Sequence, residues 1–143
     1  MRMQEILILK IVVRFVIPFI QVYGFYVITA GHLSPGGGFA GGTIVAASMV
    51  LYALTFDASQ GLEKLSHERA SLFESLGAIW YVALGFLGIL VGGNFLTNGQ
   101  IGIPLGTPGY LISGGLIPLL SFGIGIKVAV TVVSLYYSLV EED

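Results

Sequence analysis

Four long apolar runs divide the chain, at about residues 11–30, 38–56, 72–96 and 110–139. Each reaches the roughly 20 residues that a helix needs to cross a bilayer. The pattern predicts an all-α, multi-pass protein of the cell membrane, with four transmembrane helices in a single integral membrane domain over residues 1–143. An amphipathic lead-in, "RMQEILILK", precedes the first run. The polar positions cluster in the connections. "GHLSPGG" joins the first two spans, and "DASQGLEKLSHERAS" joins the second and third. "TNGQIGIPLGTPG", which carries no charge, joins the third and fourth.

Composition sharpens this picture. The 143 residues are 55% hydrophobic and only 10% charged, with a mean hydropathy of +0.92. A soluble domain is about 25% charged, and this chain has too few charges to cover a soluble surface. A net charge of −2 points away from nucleic acid and from an anionic surface as partner. With no cysteine, disulfides, thiolate metal sites and cysteine nucleophiles are excluded. The basic residues set an expected orientation. Arg2, Lys10 and Arg14 lie near the N-terminus, and Lys64 and Arg69 in the middle connection, whereas the other two connections hold no Lys or Arg. The positive-inside rule then puts both termini and the middle connection in the cytoplasm. Cleavage of the first span as a signal peptide after Ala30 is not expected, because Arg14 lies deep in it and three apolar spans follow.

The turn "HLSPGGGFAGGT" contains Gly36-x-Gly38-x-x-Gly41, a dinucleotide-binding pattern letter for letter. Such a fingerprint needs a strand before it and an acid soon after. Here a membrane-length helix precedes it, and Asp57 follows only after another span. The lysine of a phosphate-binding loop is replaced by Gly42. A structural role fits better. Ser34 and Pro35 end one segment, and Gly36 and Gly37 permit a sharp turn at positive φ. Gly38, Gly42 and Ala46 then form a small-residue stripe along the second helix. It packs either inside this chain or against a partner subunit.

"AGHLSPGGGFAGGTIVAASMVLY" closely resembles the signature of the MnhB/MrpB family, small membrane subunits of multisubunit Na+/H+ antiporters. Related subunits occur in archaeal membrane-bound hydrogenases and related respiratory complexes. The resemblance extends over nearly the whole chain, including a glycine-containing fourth helix. It implies, as partners, other small membrane subunits, antiporter-like large subunits and the lipid bilayer, with Na+ and H+ as the ions. One departure stands out. Bacterial antiporter members carry an acid in the fourth helix, where "LLSFGIGIKVAV" has Gly123, with Lys127 a turn further on. That favours a divergent member of the archaeal redox-complex type.

Polar residues within the spans are the candidates for chemistry. Lys127 lies roughly 18 Å from Leu139, counted along a helix, and a lysine near the bilayer centre costs about 2.5–3.5 kcal/mol. It either snorkels as a structural residue or, desolvated, exchanges protons. Thr131 and Ser134 share its face. Glu74 is expected to open the third helix, where a carboxylate complements the helix N-terminus. Lys127, Glu74 and Thr131 are the ion-path candidates. Pro35, Gly36, Gly37, Gly38, Gly41 and Gly42 are the turn and packing candidates. Lys10, Arg14 and Gln21 share a face of the first helix, as an interfacial anchor or as the edge of a hydrated path. Asp57, Glu63, Lys64, Glu68, Arg69 and His67 read as solvated loop residues, and His32 as a hydrogen-bonding turn residue.

Ala78, Tyr81, Gly85, Gly88 and Gly92 in the third helix, and Gly114, Gly115, Gly123 and Gly125 in the fourth, read as packing positions. No metal or cofactor site is apparent, and nothing resembles an intramembrane enzyme. Two readings remain. One is a non-catalytic subunit of an ion-translocating complex, whether a stand-alone antiporter or a redox-driven assembly. The other is a purely structural assembly subunit with no side chain on the ion path.

Overall fold

The computed structural model describes residues 3–56 and 67–141. Four helices account for its regular structure: α1 (Met3–Thr29), α2 (Gly38–Phe56), α3 (His67–Leu90) and α4 (Ile117–Glu141). No strand occurs among the described residues. Each helix is long and apolar enough to cross a membrane. Asp57, Glu63 and Lys64, read from the sequence as solvated loop residues, lie outside the described residues.

The helices follow one another in a row, α1, α2, α4 and α3. α2 packs against both α1 and α4, α1 also reaches α4 where Ile28 meets Gly125, and α3 packs on α4. Adjacent glycines on α2 serve its two neighbours. A Cβ added at Gly41 would stand 2.7 Å from the Gly24 carbonyl oxygen on α1. One added at Gly42 would stand 2.5 Å from the Gly125 carbonyl oxygen on α4 and 3.1 Å from Val128 Cβ. Gly38 faces Ser121 and Ile124 of α4 in the same way. The stripe therefore packs inside the chain. One turn on, Ala46 is fully buried, in a cluster with Ala53, Val133 and Tyr137.

The α1–α2 turn closes on α1 itself. The Leu33 and Ser34 amides donate to the Ala30 carbonyl at 2.9 and 3.1 Å, and the Gly37 amide donates to that of Val27 at 3.3 Å. Gly37 has a φ of 119°, which favours glycine. Gly36 does not share that conformation. Its side-chain position lies against Val27, where a Cβ would come within 2.9 Å of Cγ1. Space, not positive φ, is what Gly36 supplies.

Several helix limits differ from the apolar runs, the start of α3 at His67 rather than Leu72 among them. The third helix stops at Leu90 rather than Leu96. Gly92, at φ 84°, turns the chain back on the helix end, and the Leu96 amide donates to the Gly85 carbonyl at 3.2 Å. The fourth helix starts at Ile117 rather than near Tyr110. Gly114 and Gly115 precede it at φ 87° and 61°, so they are loop residues and not helix-packing positions. The two ends of the loop between α3 and α4, residues 91–96 and 110–116, are apolar enough to read as helix, but their backbone is committed to turns. The first helix also begins earlier, at Met3, because the lead-in continues its hydrogen bonding.

Asn98 ties this loop together. Its Nδ2 donates to the Gly114 carbonyl at 3.0 Å, and its Oδ1 accepts from the Leu116 amide at 3.0 Å. The loop meets the α1–α2 turn at His32, whose Nε2 lies 3.5 Å from the Tyr110 carbonyl oxygen. The two basic-free connections thus share one end of the row.

Candidate functional site

The seam between α3 and α4 brings the polar candidates together. The helices run antiparallel, and three contacts fix their register. The Trp80 indole donates to the Leu119 carbonyl at 2.9 Å. One turn earlier on α3, Gly77 lies against Lys127, and a Cβ there would come within 2.8 Å of the Lys127 Cβ. One further turn away, the Thr131 hydroxyl donates to Glu74 Oε1 at 2.5 Å. Glu74, Lys127 and Thr131 are all half-buried.

Each local feature has a reason in the sequence. Lys127 and Thr131 are four apart, so they stack on one face of α4. Gly77 is three residues beyond Glu74 and leaves room for the Lys127 stem on the same face of α3. Gly123, one turn before Lys127, accommodates the Trp80 ring. Two glycines, one on each helix, thus draw the helices close, and the polar pair lies at the edge of that contact.

Glu74 does not open its helix, as the sequence pattern had implied. α3 starts at His67, which places Glu74 roughly 10 Å inside. A macrodipole acts mainly within the first turn, and Glu68 occupies that turn instead. Glu74 is held by Thr131, a contact between residues far apart in sequence. Lys127 makes no hydrogen bond or ion pair among the described residues. It lies roughly 15 Å from the start of α4 and 21 Å from its end. Ser134 is half-buried on the same helix, and its carbonyl accepts from Ser138 Oγ at 3.1 Å.

The other candidates separate. Lys10 and Arg14 come together at the opposite edge of the row, over the Phe56 ring at 6.0 and 5.3 Å. Gln21 lies further along α1 and is half-buried. Pro35 is exposed at the α1–α2 turn. His32 faces the loop carbonyl of Tyr110, as a turn residue would, and no group of three potential metal ligands occurs among the described residues. Sequence reasoning missed two features, the Trp80 bond to Leu119 and the Asn98 staple. A lone indole donor in an apolar span was a signal for the first. Asn98, between Thr97 and Gly99 in a glycine-rich loop, was a weaker one for the second.

The arrangement combines a carboxylate and a hydroxyl with an amine one turn away, at an interior level of two membrane-length helices. Carboxylate and hydroxyl oxygens suit a hard cation. Carboxylate and amine can each bind and release a proton.

Known proteins place this chain in context. A family model described as a domain related to the MnhB subunit of Na+/H+ antiporter matches residues 8–134. The chain is 36% identical over 110 residues to an uncharacterized protein of Methanocaldococcus jannaschii, an alignment covering 73% of this chain and 41% of that protein. It is 31% identical over 132 residues to the putative antiporter subunit mnhB2 of Staphylococcus aureus strain MRSA252, covering 92% of each. Among solved structures, a chain of the membrane-bound sulfane sulfur reductase, an archaeal respiratory membrane complex, superposes with a TM-score of 0.78 at 33% identity. That match covers 92% of this chain and 56% of the other.

Proposed function

The chain belongs to the family of domains related to the MnhB subunit of Na+/H+ antiporters, and from that membership we propose that it is a small, non-catalytic membrane subunit of a multisubunit cation/proton-translocating complex. The likeness to a subunit of an archaeal respiratory complex supports the antiporter-like module of a redox-driven assembly over a stand-alone antiporter. Its partners are then other small membrane subunits and antiporter-like large subunits. The orientation proposed from the basic residues puts both termini in the cytoplasm.

The observation that carries a direct role in transport is the Thr131–Glu74 hydrogen bond, with Lys127 one turn away on the same seam. A carboxylate fixed inside a membrane helix pair is costly to place there and marks ion or proton pathways. In this reading Glu74 binds the cation or proton, Thr131 orients it, and Lys127 modulates its charge.

The experiment is Lys127→Met in the assembled complex, read out both as the amount of intact complex and as transport per complex. Methionine keeps an apolar stem of similar reach and deletes the exchangeable charge. The expected result is near-normal assembly with a large loss of transport per complex. Wild-type transport per intact complex would favour a purely structural assembly subunit instead.

A further inference from the structure

We propose that the groove beside Lys10, Arg14 and Phe56 binds the headgroup of an anionic phospholipid, at the edge of the row opposite the Glu74 seam. The groove is lined by Leu7, Lys10, Ile11, Arg14, Phe15 and Phe56 and encloses about 430 Å³. It is independent of the transport reading above.

Its level relative to a bilayer follows from α2. The 19 residues Gly38–Phe56 span roughly 28 Å at 1.5 Å per residue, close to the hydrocarbon thickness of about 30 Å. Phe56, the last residue of α2, therefore lies near the boundary between acyl chains and headgroups. Lys10 Nζ and the Arg14 guanidinium lie 6.0 and 5.3 Å from its ring centroid, so both cations stand at headgroup level. The ring is held from its own helix by Tyr52, stacked at 4.8 Å.

The chemistry of the groove is divided in the same way as a phospholipid. The cations offer several N–H donors to a phosphate, with Arg14 able to bind two oxygens at once. Leu7, Ile11 and Phe15 line an apolar track for an acyl chain, and all three are exposed. A neutral apolar helix from a neighbouring subunit would leave both cations unpaired at its surface, whereas an anionic lipid neutralises them. Basic pockets between membrane helices bind such headgroups.

The test uses the purified full-length chain in neutral detergent, titrated with phosphatidylglycerol or phosphatidylcholine, with the first bound lipid counted by native mass spectrometry. Each cation near the surface strengthens anionic-lipid binding about fivefold, so the pair predicts a preference of about 25-fold for phosphatidylglycerol. Lys10→Gln with Arg14→Gln should abolish it, and Arg69→Gln, on exposed α3 surface, should leave it intact. High salt, near 1 M, should shrink it several-fold in the wild-type chain, because the Debye length is then only about 3 Å. That arm holds even if the double variant fails to fold.

Any of four results would overturn the proposal. One is equal binding of the two lipids by the wild-type chain. Another is a preference that survives the double variant. The third is a wild-type complex purified without bound anionic lipid, its groove filled by a neighbouring subunit. Competition by glycerophosphate as strong as by the lipid would also count against it, since the acyl track would then contribute nothing.

Discussion

At the scale of single residues, the Thr131–Glu74 bond separates two roles that a simple deletion would confuse. Thr131→Val keeps shape and removes the hydroxyl that donates to this carboxylate. The expected cost is about 1–2 kcal/mol, the range of interhelical polar contacts in membranes, read as a lower unfolding temperature of the complex. Glu74→Gln should behave differently. Its amide oxygen still accepts from Thr131, so stability should stay near wild type while transport per complex falls. Equal stability losses in both variants would mean that charge at Glu74 is needed for packing rather than for transport. The sequence exposed both residues as polar positions inside apolar spans, but it did not pair them. They are brought together by helix register, and Glu74 by itself reads as a residue that complements a helix start.

At the scale of elements, α2 is the spine of the row. Its consecutive glycines, Gly41 and Gly42, face opposite neighbours, so each has a separate role. Gly42→Leu should disrupt the α2–α4 contact, since even a Cβ meets the Gly125 carbonyl oxygen at 2.5 Å. Overpacking of this kind costs about 1–3 kcal/mol, while the added apolar surface favours membrane insertion. The expected outcome is normal insertion with reduced recovery of partner subunits and reduced thermal stability. Full recovery at wild-type stability would show that α2 and α4 need not approach so closely. The small-residue spacing was legible in the sequence. Which helix each glycine meets was not, because residues one apart point about 100° from each other and either face could have been the lipid-exposed one.

At the scale of the whole molecule, a row of four helices leaves broad apolar faces uncovered. Phe19, Val22, Leu54 and Leu90 are each more than 60% exposed, as suits a subunit that meets lipid and neighbouring subunits on both faces. The proposed orientation is testable with introduced cysteines. Thr107, exposed in the α3–α4 loop, is a better site than Asn98, whose side chain holds the loop. Thr107→Cys should be labelled from outside the cell and Glu68→Cys should be protected; the reverse pattern would invert the topology. The sequence by itself determined that this is a four-span membrane protein, that a glycine turn joins the first two spans, and which family it resembles. These follow from local hydropathy and from a contiguous motif. Only the tertiary structure decided where α3 ends and α4 begins, that the stripe on α2 packs inside the chain, and that Glu74 meets Thr131. In lipid, buried and exposed faces are equally apolar, so no amphipathic pattern marks the faces that pack. The apolar ends of a turn-built loop, such as residues 110–116 beside the Asn98 staple, look the same as helix until their long-range hydrogen bonds are known.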